Sequence, residues 1–121
     1  VLFRSSALTK SGVFLADLAQ AVNHPACRLM PDFGKLLGTD VYGGTAAMMP
    51  YTAVVSAKTH DIDEDGRTQD FNYPRLMKIV TAAGFSGIVA IEYEGRNPGP
   101  LDGVKATQEI LRSLNRPAGA R

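Results

Sequence analysis

The chain has no tryptophan, a single cysteine and two histidines among its 121 residues. With Cys27 alone, no intrachain disulfide can close, so packing and hydrogen bonds must hold the fold, and a reducing compartment is permitted. Long apolar runs are missing too, and none approaches the ~20 residues a membrane-spanning helix needs. No excess charge of either sign exists, since 13 Lys and Arg face 12 Asp and Glu. Without a basic cluster, composition argues against nucleic acid and against an anionic membrane surface as partners. No secretory leader is visible, and a cytoplasmic location is the expectation. What remains is an ordinary globular make-up, 45% apolar and 21% charged, in a length that suits one domain.

Three apolar runs organise this chain, and each turns polar at its C-terminal end. GIVAIEYEG at 87–95 runs from Ile88 to Ile91 and then into Glu92, Tyr93 and Glu94. Its Val and Ile content and bounding glycines suit a strand covered on both faces. Side chains alternate along a strand, so Glu92 and Glu94 share one face, with Ile91 and Tyr93 on the other. CRLMPDFG at 27–34 ends in Asp32, and AVVSAKTH at 53–60 ends in Lys58 and His60. Carboxylates at the end of a buried strand are costly unless a cation or hydrogen-bond donors meet them.

Helical segments separate the runs. Ser11 is an N-cap for an apolar stripe of Phe14, Leu15, Leu18, Ala19 and Val22. Residues 40–49 form a short helix weakened by Gly43 and Gly44. Asn72 caps a helix with Pro74 in its first turn and Gly84 at its stop, and Asp102 caps a last helix through Leu114. Residues 1–10 read as a poorly defined opening that looks non-native, 11–116 as one folded unit and 117–121 as a tail. Strands alternating with helices argue for an α/β fold with parallel strands. The strands begin at Cys27, Ala53 and Gly87, about 26 and 34 residues apart, close to the ~31 residues per unit of an eight-unit TIM barrel. No Gly-rich phosphate loop follows any strand, which disfavours a dinucleotide fold. About three βα units plus a preceding helix are then the C-terminal part of a (β/α)8 barrel belonging to a longer protein. In a barrel the strand ends converge on one face, bringing together Asp32, Ser56, Lys58, His60, Glu92 and Glu94.

Asp32, His60 and Glu92 make an oxygen and nitrogen donor set for Mn2+, Mg2+, Co2+ or Zn2+. The blander reading has Asp32 closing a turn and Glu92 paired with Lys58. Lys58 could polarise a carbonyl, bind phosphate, form a Schiff base or simply make an ion pair with Glu92 or Glu94. DIDEDG at 61–66 matches the first half of a calcium loop, but position twelve is Asn72 and a strand precedes it, so a solvated turn is the better reading. His24 falls at the opposite end of a barrel and reads as structural.

At these residues the chain resembles the sugar phosphate isomerase/epimerase family, the xylose-isomerase-like barrels. The resemblance runs from Ser11 to Leu114 and rests on MPDFGK at 30–35, MMPYTAVVSAKTHDID at 48–63 and NYPRLMKIVTAAGFSGIVAIEYEG at 72–95. It implies one divalent metal held by Glu, Asp, His and Glu at four strand ends. Asp32 is similar to the family aspartate and Glu92 to the final glutamate, with the first glutamate expected upstream of Val1. The family's strand-end histidine aligns with Ser56, which leaves His60 to reach the metal, and Lys35 stands where the family pattern has Asn. The implied reaction is proton transfer next to the carbonyl of a small sugar or sugar phosphate, through an enediolate. Glu92, Lys58 and His60 are then the catalytic residues, and Lys58, Ser56 and Glu94 bind substrate. A homo-oligomer of the longer protein is the expected assembly. Two alternatives remain, a metal-dependent phosphodiester nuclease resembling endonuclease IV and a non-catalytic sugar-binding barrel.

Overall fold

The computed structural model describes residues 8–36, 40–68 and 70–114. Expectations for residues 1–7 and 115–121 lie outside these. Four α-helices and two strands follow in the order α1 (Gly12–Val22), α2 (Val41–Met48), β1 (Val54–Thr59), α3 (Tyr73–Ala82), β2 (Ile88–Tyr93) and α4 (Pro100–Leu114). Short 3-10 turns precede α1 at Leu8–Lys10 and follow α2 at Met49–Tyr51.

The helix starts follow side-chain capping. Ser11 accepts from the Phe14 N–H, Asp40 from Tyr42 and Gly43, and Asn72 from Arg75, each satisfying donors that a first turn leaves open. The expected cap of α4 is different. Asp102 lies within its first turn, where its charge complements the helix dipole, and the helix begins two residues earlier at Pro100, a residue suited to a helix start.

β1 and β2 pair in parallel, with Ser56 opposite Ala90, Lys58 opposite Glu92 and Thr59 opposite Tyr93. A parallel pair needs a crossover, and α3 supplies it. β1 is buried from Val55 to Thr59, whereas β2 keeps part of its surface open, with Ile88 69% exposed. The run at 27–34 differs from expectation, since it forms no regular strand. It lies along β1 through two isolated parallel bridges, Leu29 to Thr52 and Asp32 to Ser56. Pro31 explains the interruption. Its nitrogen carries no hydrogen for the ladder, although its carbonyl accepts from the Ser56 N–H at 2.8 Å. The parallel α/β arrangement expected from the sequence is present, with one bridged segment in place of a third strand.

The core fills the space between this sheet and the helices. Leu76, Met77 and Val80 of α3 belong to one buried cluster with Val55 and Ala57 of β1 and Leu15 and Ala19 of α1. Phe33, Phe71 and Tyr73 form an aromatic corner, with Phe33 edge-on to both others. Thr59 and Thr107, both fully buried, share a 2.6 Å hydrogen bond that ties β1 to α4. The glycines of α2, unfavourable for a helix on propensity, have a packing reason. Gly44 lies so close to Gly12 of α1 that a Cβ on Gly12 would stand 2.5 Å from the Gly44 Cα. Backbone meets backbone there, and no flexible side chain can yield. In the protein carrying this chain, Gly12→Ala is expected to destabilise by about 1–3 kcal/mol, read as a lower midpoint of urea unfolding. An unchanged midpoint would show that α1 and α2 do not cross this closely.

Candidate functional site

The site is built where the C-terminal ends of β1 and β2 meet the segment bridged to β1. Alternation on β1 turns Ser56 and Lys58 to one face, and the register with β2 sets Glu92 beside them. The pairing continues one step beyond β2, where the Glu94 N–H donates to the Thr59 carbonyl at 2.9 Å. Asp32 comes from the bridged segment and points at the same spot. Its other oxygen accepts from the Gly34 N–H at 2.9 Å, a tight turn that fixes the carboxylate.

The Lys58 ammonium sits at the centre. Its Nζ lies 2.9 Å from Glu94 Oε1, 3.0 Å from Glu92 Oε1 and 3.4 Å from Asp32 Oδ2. The side chain is 1% exposed, while Glu92 and Glu94 are nearly half open to solvent. Burial alone would favour the neutral amine, but the hydrogen bonds to Glu94 and Glu92 and the Asp32 charge outweigh it, and Lys58 is held above the ordinary lysine range. Glu94 shifts the other way, below the usual carboxylate range, chiefly through its hydrogen bond to Lys58. Asp32 is raised, because its burial outweighs the nearby ammonium. Room for the lysine comes from Gly34, since a Cβ there would run into the Lys58 Cδ.

Around this centre the partners are specific. Ser56 Oγ donates to Glu92 Oε2 at 3.1 Å. Lys35 reaches the far oxygen of Glu94 at 3.8 Å. The Tyr73 hydroxyl donates to the Lys58 carbonyl at 2.9 Å, so α3 fixes the backbone beneath the site. His60 closes the rim, with Nδ1 2.6 Å from Asp70 Oδ2 and Nε2 3.8 Å from Glu94 Oε2. Asp61 accepts from the Arg96 and Asn97 N–H groups, at 2.6 and 3.1 Å, and so ties the two loops beyond the strands together.

These distances come out differently from two expectations. Of the set Asp32, His60 and Glu92, the two carboxylates meet at the Lys58 ammonium, while His60 turns Nδ1 to Asp70 and Nε2 toward Glu94. Among the described residues, no group of three or more His, Cys, Asp or Glu is arranged to hold a metal ion. In this arrangement the Lys58 ammonium occupies the point that the three carboxylates share. Lys58, expected to touch substrate, has three donors facing three carboxylates and is enclosed. A lysine held in its charged form is also no Schiff-base nucleophile. Glu92, Glu94 and His60 come together at one rim, while Ser56, expected to bind substrate, is buried beneath it and donates to Glu92.

No family model matches the chain. A C-glycoside deglycosidase alpha subunit from Microbacterium trichothecenolyticum is 29% identical over 117 residues, covering 89% of this chain and 32% of that protein. A second protein of that name, from Arthrobacter globiformis, is 31% identical over 71 residues, covering 54% of this chain and 20% of that protein. Both relatives are subunits of an enzyme that works on a glycoside. This chain spans a third or less of the length of these curated relatives.

Three features were not found from sequence. Asp70 lies ten residues beyond His60 in an irregular loop, where no period points to it. Asp61 read as part of a calcium-like run, yet it serves the loops of two strands. Within that run, Asp63 Oδ1 instead accepts from the Arg67 N–H at 2.8 Å, and Gly66 takes φ 74°, a turn conformation, as the solvated-turn reading had it. Gly34 carried a usable signal, a glycine two residues after a strand-end aspartate, but not the reason for it. A cleft of about 340 Å3, lined by Arg67, Phe71, Tyr73 and Ile110, contains none of the cluster's charged residues, and Tyr73 stands between the two. No helix among the described residues is long and apolar enough to cross a membrane.

The direction of the Glu94 shift fixes a pH dependence. A carboxylate whose pKa is lowered on folding adds stability above its unfolded pKa of about 4.3, lost as pH falls through the folded value. Because Glu94 is partly exposed, screening limits its share to about 0.2–1 kcal/mol. Glu94→Gln should therefore lower stability by that amount at pH 7 and leave it unchanged at about pH 2, as denaturant titrations at both pH values would read. An equal loss at both would mean that the carboxylate charge contributes nothing.

Proposed function

We propose that this chain supplies part of the catalytic face of a sugar-processing enzyme whose central step is proton transfer next to a carbonyl. The observation that carries the reading is the convergence of Glu92, Glu94 and His60 on one solvent-facing rim above a buried positive charge. Carboxylates at that rim can take up and return a proton, while the ammonium below keeps them in place. The names of the relatives agree with such a step. A C-glycosidic bond has no oxygen leaving group; in a glycoside whose ring hydroxyl has already been oxidised to a ketone, loss of the adjacent C–H proton gives an enolate that expels the aglycone carbon with the bonding pair, to be protonated there, and isomerisation of a sugar passes through the same kind of intermediate. Both reactions begin with one acidified C–H bond.

In this proposal Glu92 moves the proton. It stands at the rim, and Ser56 and Lys58 fix both of its oxygens, which sets the direction it faces. Glu94, held ionised, accepts hydrogen bonds from sugar hydroxyls. His60 presents Nε2 to a substrate oxygen while Asp70 holds its other nitrogen. The substrate is a small sugar, a sugar phosphate or a glycoside. The alpha-subunit designation of the relatives supports assembly with another chain, and the rest of the substrate pocket would come from residues outside this stretch.

Glu92→Gln in the full-length protein removes the proton acceptor and keeps the shape. Turnover is expected to fall by about 10²–10⁴-fold, and exchange of the substrate C–H into heavy water, followed by NMR, should stop. Near-normal exchange by this variant would remove Glu92 from the mechanism.

A further inference from the structure

The carboxylates of this site already hold a cation. Nζ of Lys58 lies 2.9–3.4 Å from one oxygen each of Asp32, Glu92 and Glu94, which arrive from two different segments of the chain. A divalent ion on the same oxygens would need them at about 2.0–2.6 Å and would have to displace the ammonium. We propose that the Lys58 ammonium permanently takes the place of a divalent metal in this carboxylate cluster, so the cluster works without one.

Two further observations point the same way. First, the lysine cannot swing aside easily. It is 1% exposed, its stem passes over Gly34 where even a Cβ would collide, and the Tyr73 hydroxyl holds its backbone carbonyl. Second, the neighbouring groups complete an ion-pair site and not a coordination sphere. Ser56 spends its hydrogen on the second Glu92 oxygen, and the second Asp32 oxygen accepts the Gly34 N–H, so these oxygens are already partnered. His60 is not among the groups around Nζ, since Asp70 takes its Nδ1 and its Nε2 lies 3.8 Å from the far oxygen of Glu94.

Lys58 is thus a positioning residue. It fixes the carboxylates through charge without touching substrate. The inference holds whichever reaction the rim performs, and its test needs no assay of turnover. Full-length protein is treated with a chelator and dialysed. Mn2+ and Zn2+ are then added singly to the wild type, Lys58→Met and Glu92→Gln, with bound metal read by elemental analysis and stability by the thermal midpoint. The wild type is expected to hold no metal that depends on Glu92, and its midpoint should not move with either ion. Lys58→Met frees three carboxylates that need a cation, so Mn2+ or Zn2+ should raise its midpoint and bind at least about tenfold more tightly than to the wild type. One equivalent of metal in the wild type that is lost in Glu92→Gln would overturn the proposal. So would a folded Lys58→Met with no greater affinity than the wild type. The wild-type comparison with Glu92→Gln decides the matter even if Lys58→Met does not fold.

Discussion

A single buried ammonium sets the layout of this chain's polar face. Three carboxylates gathered at adjoining strand ends repel one another, and burying one of them adds a desolvation cost. Lys58 offsets both, because its three donors meet three acceptors and its place on β1, between the segment carrying Asp32 and β2, makes it neighbour to each. The rest of the face follows from that requirement. Parallel pairing has to bring Lys58 opposite Glu92. The segment carrying Asp32 has to lie along β1 despite its proline, and Gly34 has to leave room for the lysine stem. A parallel sheet and its crossover helix satisfy all three demands at once.

The cation position also separates the two halves of the cluster. Asp32 is mostly buried and leans on its turn and on Lys58, whereas Glu92 and Glu94 keep open sides. An arrangement with a closed floor and an accessible rim can hold reactive groups in fixed directions while still admitting a ligand. The floor is anchored from several elements, through the Tyr73 hydroxyl from α3 and the Thr59–Thr107 bond from α4. The rim is tied through Asp61, which joins the loops after both strands. Similarity to subunits of a glycoside-processing enzyme is consistent with a rim of this polarity.

Much of the framework was legible in the residues. Serine and asparagine ahead of apolar stripes gave two helix starts within a residue, because capping is a local interaction. Alternation along 53–60 and 87–95 placed Ser56, Lys58, Glu92 and Glu94 on one face, since a strand has only two. Local rules failed where the answer depended on distant atoms. Pro31 broke a run that composition read as a strand. The glycines of α2 looked like a weakness until Gly12 was seen against Gly44. For Lys58, an ion pair was foreseen among several roles, but that it would be enclosed by three carboxylates was not. That outcome depends on register, which joins residues more than thirty positions apart in sequence.

The most direct measurement of the central claim is the nitrogen–proton NMR spectrum of the lysine ammonium groups of the full-length protein at neutral pH. Solvated lysines lose these signals through rapid exchange with water. The account predicts one slowly exchanging ammonium signal, assigned to Lys58 by its absence in a Lys58→Arg variant. A spectrum in which no such signal persists would contradict it, because the charge at the centre of the cluster would then be open to water or replaced by another ion.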